Sequence, residues 1–177
     1  MLFRSTMALV PQVVDAVGEK VPVVAAGGLY DGRGLAASLA LGADGVWIGT
    51  RFIATPEARA VNGYKDTLLA TNEDGTTISR SYTGKTCRVV ANEWTRHYDK
   101  HPDDLKPFPQ QAIASMQAGV NHLGYPTGTE TDPTREFYPA GQGVGAINEL
   151  VPAGELVRRI MHEAHAVLAR VGKLTGR

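Results

Sequence analysis

The sequence predicts a mixed α/β fold built on parallel strands, and three observations carry that reading. A short apolar run, Val21-Pro-Val-Val-Ala-Ala, ends in Gly27-Gly28; a second, Gly45-Val-Trp-Ile, ends in Gly49-Thr50; a segment with helical spacing lies between them. Valine-rich runs of this length closed by glycine read as strands buried on both faces. With the segment between them they make a strand-helix-strand unit of about thirty residues.

Taken in order, Met1-Leu-Phe-Arg-Ser5 carries no fold signal and reads as the start of a truncated reading frame. From Thr6 to Val17, the positions Leu9, Val10, Val13, Val14 and Val17 make one helical face, with Pro11 near its start and Gly18 closing it. The first strand follows. Asp31 is placed to cap the next helix, Leu35, Ala36, Leu39 and Ala40 recur on its apolar side, and Gly42 ends it. After Phe52 the texture changes. Ala54-Thr-Pro-Glu-Ala58 offers a capped start with proline at the first helical position, which predicts a helix from Pro56 to Thr71. Thr76-Thr-Ile-Ser79 and Cys87-Arg-Val-Val90 read as the strands of an irregular hairpin around Tyr82-Thr-Gly-Lys85. Helices are expected over Glu93–His101 and Phe108–Gly119, then turns from Asn121 to Phe137, where Gly124, Pro126, Gly128 and Pro133 fall. The final helix is predicted from Gly154 to Val171, with Leu156, Val157, Ile160, Ala164, Val167 and Leu168 on its apolar side. It has the length and stripe to cover the last strand of a barrel. The expected organisation is therefore residues 6–53 as the last βα units, 54–147 as a mostly helical inserted segment, and 148–177 as a covering helix and tail.

Glycine at the carboxyl end of a parallel strand lets the backbone approach an anion closely, so that several N–H groups converge on its oxygens. Gly27, Gly28, Gly49 and the Thr50 hydroxyl are accordingly candidates for a split phosphate cradle, a site that barrels of βα units often carry after their last two strands. A tight turn at Gly27-Gly28 and packing relief at Gly49 is the alternative use of the same residues. Gly141-Gln-Gly-Val-Gly145 is not the dinucleotide fingerprint, because its spacing differs and no β-forming run precedes it. It reads either as a close-approach loop, in which Gln142 offers a carbonyl and an amide to a polar ring, or as a hinge into the last helix.

Other chemistries find little footing. The histidines His97, His101, His122, His162 and His165 show no spacing that completes a metal site, and none has an evident serine or cysteine partner for a nucleophilic triad. Arg51 can meet a phosphate or a neighbouring side chain, Lys85 and Arg88 are expected in solvent, and Trp47 in a core or packed on a ring. Basic and acidic residues balance at 18 each, so no surplus charge argues for nucleic acid or an anionic membrane. The single cysteine, Cys87, excludes an internal disulfide and suits a reducing cytosol. No apolar run approaches the roughly eighteen to twenty residues of a membrane span. A cytoplasmic protein is expected.

Ala25-Ala-Gly-Gly28, Asp31-Gly-Arg-Gly34, Ala40-Leu-Gly-Ala-Asp-Gly-Val-Trp-Ile-Gly-Thr-Arg-Phe52 and Ala140-Gly-Gln-Gly-Val-Gly145 together resemble the nitronate monooxygenase family, formerly called 2-nitropropane dioxygenases. The first three are shared with related flavin barrels, including the flavin-dependent enoyl-ACP reductases. Tyr82-Thr-Gly-Lys-Thr-Cys-Arg88, Asn92-Glu-Trp94 and the late glycine loop draw the chain towards the monooxygenases. The resemblance implies the C-terminal part of a TIM (β/α)8 barrel that holds FMN by its phosphate after the seventh and eighth strands. It also implies that Gly28, Trp47, Ile48, Gly49 and Thr50 are FMN-binding positions. The activity implied is oxidation of alkyl nitronates, such as propionate 3-nitronate, with dioxygen to a carbonyl compound and nitrite or nitrate. The strands that carry the family's catalytic histidine have no counterpart here, so no catalytic residue is transferred. Two further readings stand beside this one: a flavin-dependent enoyl reductase, and a non-catalytic phosphate-binding half-barrel whose open sheet another chain, or a second copy, completes.

Overall fold

Residues 5–174 are described by a computed structural model, so most of the opening segment lies outside the described residues. In chain order the elements are α1 (Thr6–Val17), β1 (Val24–Ala26), α2 (Gly32–Ala40), β2 (Gly45–Trp47), α3 (Thr50–Ile53) and α4 (Asn62–Ala70). There follow β3 (Thr76–Ser79), β4 (Cys87–Val90), α5 (Glu93–Lys100), α6 (Gln110–Gln117) and α7 (Ala153–Leu174). The chain is thus mixed α/β, with helix predominating. It divides into two compact units, one formed by Met1–Gly49 with Val151–Arg177 and the other by Thr50–Leu150.

The first unit is the predicted βαβ arrangement. β1 and β2 pair in parallel, Val24 opposite Gly45, Ala25 opposite Val46 and Ala26 opposite Trp47. Asp44 fixes the start of the ladder: its N–H donates to the Val23 carbonyl at 2.8 Å and its Oδ2 accepts from the Val23 N–H at 2.7 Å. One face of the pair is buried, where Ala25 joins Val10 and Ala43, with Val14, Leu29 and Val46 packed against them. The expectation of burial on both faces is corrected, and with it the core position of Trp47. Val24 is 54% exposed and Trp47 73%. A two-stranded sheet has only the neighbours its own crossover supplies, and an apolar run does not reveal which side they cover.

Helix α2 begins as predicted, with Asp31 Oδ1 accepting from the Gly34 N–H at 3.0 Å. Its buried face is Gly32, Leu35, Ala36 and Ser38, which packs on α7 around Leu156, Ile160 and Ala164. Leu39 and Ala40, expected on that face, are exposed, because the contact stripe runs one residue earlier through Ser38. Gly32 permits the two helices to approach: a Cβ there would press on the Ile160 carbonyl and lie 2.7 Å from Glu163 Cβ. The Gly32 N–H, an orphan of the first helical turn, donates to Glu163 Oε2 at 2.8 Å across 131 positions of sequence.

In the second unit β3 and β4 form the predicted antiparallel hairpin, with Thr76 opposite Val90 and Ser79 opposite Cys87. Helix α5 starts on a capping box in which Asn92 and Thr95 each accept the other's backbone N–H. The helix expected from Pro56 begins only at Asn62. Thr55 does not cap it: its hydroxyl donates back to the Phe52 carbonyl at 2.8 Å, and the chain turns again where the Ala60 N–H meets the Ala58 carbonyl. The larger core gathers Val61, Tyr64, Leu68, Val90, Tyr138 and Ile147; a smaller one joins Tyr82, Val89, Val120 and Phe137. The buried Tyr82 hydroxyl lies 2.7 Å from the Arg135 carbonyl and 3.0 Å from that of Glu136, and accepts from Asn92 Nδ2 at 2.8 Å. Among the described residues no helix is long and apolar enough to cross a membrane.

Gly32→Val forces α2 and α7 apart and should lower the stability of the first unit by about 1–3 kcal/mol, read as a shifted midpoint in urea unfolding. Burial raises the phenol pKa values of Tyr64 and Tyr82 well above their ordinary value of 10.0. In the unfolded chain these phenols ionise near that value while the folded ones stay neutral, so the unfolded state binds fewer protons above it. Stability should be fully present below about pH 10 and fall as pH rises beyond it. Midpoints measured across that range check the sign.

Candidate functional site

Parallel pairing brings the two glycine turns together. The register ends with Ala26 opposite Trp47, so the turns that follow, Gly27-Gly28 and Ile48-Gly49, both leave the sheet at its carboxyl edge. Gly27 and Gly28 hold φ values of 105° and 72°, which a side chain resists, and the turn is steadied by the Thr6 hydroxyl donating to the Gly27 carbonyl at 2.7 Å. No described residue accepts from the N–H of Gly28 or Gly49. A Cβ built at Gly49 meets nothing within 4 Å, so open space adjoins that backbone. Free N–H groups, a shared edge and open space are what an oxyanion needs from a backbone cradle. The residues present fit a phosphate.

The remaining predicted positions are distributed around this edge and the second unit. Trp47 is exposed and Ile48 half-buried. Thr50 opens α3, and its Oγ1 accepts from the Gly141 N–H at 2.9 Å, which leaves its own O–H available as a donor. That bond fastens the glycine loop, on which Gln142 is exposed. Gly145 serves packing: a Cβ there would run into the backbone of Asn72 and Glu73. Arg51 is buried, and its Nη1 donates to the carbonyls of Ala54 and Glu149, each at 3.1 Å. Lys85 sits 4.0 Å above the Phe108 ring, and Arg88 donates to Thr76 Oγ1 at 3.1 Å, so neither is simply solvated.

His97 faces Asp104 at 3.4 Å and its ring lies 5.0 Å from that of His101. His162 and His165 are exposed on α7. Among the described residues no three His, Cys, Asp or Glu side chains converge to hold a metal ion. Cys87 is half-buried, and burial pushes its thiol pKa up, the opposite of what a nucleophile requires. His122 is the histidine with a buried partner: its Nδ1 lies 2.7 Å from Glu136 Oε2, and its N–H donates to Glu136 Oε1 at 2.8 Å. Sequence reasoning missed this pair. Fourteen positions of turns separate the two residues, and no periodicity links them.

Comparison with known proteins decides the family. The nitronate monooxygenase family model matches residues 3–163. This chain belongs to the nitronate monooxygenase family. A Mycobacterium tuberculosis protein named as a monooxygenase is 37% identical over 175 residues, which cover 97% of this chain and 45% of that protein. A Staphylococcus saprophyticus protein named as a nitronate monooxygenase is 42% identical over 106 residues, 60% of this chain and 29% of that one. Among solved structures, FabK from Thermotoga maritima aligns with a TM-score of 0.81 and 29% identity, covering 98% of this chain and 53% of FabK. The nitroalkane oxidase of Streptomyces ansochromogenes gives a TM-score of 0.76 and 31% identity, covering 94% and 45%. This member of the family therefore spans about half the length of the relatives it matches.

Thr50→Val removes the acceptor of the Gly141 N–H. The loss of about 1 kcal/mol of local stability should speed hydrogen exchange at Gly141 several-fold, with exchange in α4 unchanged.

Proposed function

We propose that this chain carries the phosphate-binding, C-terminal part of an FMN-dependent (β/α)8-barrel oxidoreductase acting on alkyl nitronates, propionate 3-nitronate among them. Dioxygen is the co-substrate, and a carbonyl compound with nitrite or nitrate the product. The observation that carries the reading is the parallel register that puts the Gly28 and Gly49 turns on one edge, in a chain of this family. The flavin, when bound, supplies the electron transfer between nitronate and dioxygen. The chain's own part is to hold it: the N–H groups of Gly28 and Gly49 take phosphate oxygens, and the Thr50 hydroxyl adds a donor. Trp47 and Ile48 stand next to that group, and Gln142 offers polar contacts from the glycine loop. Part of the selection of the nitronate's alkyl group falls to the inserted segment over residues 54–147.

The likeness to FabK keeps a flavin-dependent enoyl reductase as a second reading. Oxidation of added NADH by an enoyl thioester favours it; nitronate-dependent oxygen uptake without NADH favours the first. Both assays are run on the chain joined to the N-terminal half of a family relative.

Quenching of flavin fluorescence tests the cradle directly. FMN should bind this chain at least about ten-fold more tightly than riboflavin, which lacks the phosphate. Gly49→Asp has room for its side chain and places a carboxylate where the phosphate would lie. It should weaken FMN by about ten-fold or more and leave riboflavin unchanged. Equal affinity for the two flavins, or indifference to Gly49→Asp, overturns the assignment.

A further inference from the structure

We propose that a pocket within the second unit, closed at one side by the His122–Glu136 pair, binds a small hydrophobic carboxylic acid. The pocket has a volume of about 250 Å³ and walls of Ile53, Val61, Leu123 and Phe137, with Arg59, His122 and Glu136 as charged or titratable members. All its lining residues belong to the second unit, and none to the glycine turns or to the Gly141–Gly145 loop. It is therefore distinct from the phosphate cradle. The volume lies below the roughly 300–1,000 Å³ of pockets that take drug-sized ligands, so the occupant is short.

The polar side determines the head group. Glu136 is 1% exposed, and both of its oxygens are engaged by His122, one by the backbone N–H and one by Nδ1. That carboxylate is spent. The bond also fixes the ring: Nδ1 carries the proton that faces Glu136, and Nε2 is left with no partner among the described residues. The ring remains 21% exposed and touches the edge of Tyr125 at 4.9 Å between centroids. Arg59 is exposed and makes no ion pair among the described residues. An apolar cavity that meets an unengaged imidazole nitrogen and an unengaged guanidinium suits a hydrocarbon ending in a carboxyl group. The ligand binds as carboxylate together with one proton that Nε2 takes up, so that the imidazolium lies between Glu136 and one ligand oxygen while the other oxygen faces the guanidinium fork. An alcohol can satisfy Nε2 but offers nothing to Arg59. An amine brings the wrong charge to it.

The test uses three ligands with the same chain, hexanoate, hexanol and hexylamine, followed by saturation-transfer NMR and calorimetry on the whole chain without flavin. Hexanoate should bind at least about ten-fold more tightly than hexanol, and hexylamine least. Arg59→Gln alters an exposed side chain and should abolish the preference for hexanoate while leaving hexanol where it was. His122→Gln should weaken both hexanoate and hexanol. Ala58→Trp, which fills the pocket from a half-buried turn, should remove binding of all three. Equal affinity for the three ligands, unchanged binding to Ala58→Trp, or no binding by a folded chain overturns the proposal. Since no flavin enters the experiment, its result is separate from the reading of the phosphate cradle.

Discussion

Parallel pairing of β1 with β2 is the constraint from which the rest follows. Strands that run the same way must be joined by a crossover, so the chain is obliged to climb back through α2 before the second strand can start. The same geometry delivers both strand ends to one edge. Had the strands been antiparallel, Gly28 and Gly49 would lie at opposite edges and no common anion could reach both. The crossover also fixes where burial occurs. α1 shields the face bearing Ala25, α2 seats itself on α7, and Val24 and Trp47 are left in solvent on the other side.

The second unit is held by a different device. Its smaller core is organised around the buried Tyr82 hydroxyl, which draws the hairpin, the start of α5 through Asn92, and the Arg135–Glu136 backbone to one point. Such a network is useful only when all its members are satisfied, because an unmatched polar group in an apolar surrounding is costly. Here no buried side-chain nitrogen or oxygen among the described residues lacks a partner. Glu136 belongs to the same cluster: its carbonyl serves Tyr82 and Asn92 while its carboxylate serves His122. The polar knot and the pocket beside it thus share a residue.

Local signals were readable wherever the chain itself supplied the partner. Asp31 caps α2 because its acceptor sits three residues from the N–H it needs, and the β3–β4 hairpin joins two β-forming runs that are visible in a line of sequence. Burial was not readable in the same way. Val24 and Trp47 are as apolar as any core residue, and nothing in their own neighbourhood tells which layer covers them. The false start at Pro56 has a related cause: threonine, proline and glutamate make a good helix opening, yet the Thr55 hydroxyl found a carbonyl behind it instead. His122 and Glu136 meet through turns, where spacing carries no periodic message.

Arg51 and Glu149 stand near opposite ends of the excursion from Thr50 to Leu150, and the guanidinium of the first grips the carbonyl of the second. Departure and return are thereby pinned side by side, which is the arrangement that lets one segment be spliced into the interior of another. Whatever lies between the pins can grow, shrink or be exchanged without asking the chain outside them to stretch. A lineage that keeps this clasp is free to redesign the excursion while the parallel strand pair stays as it is.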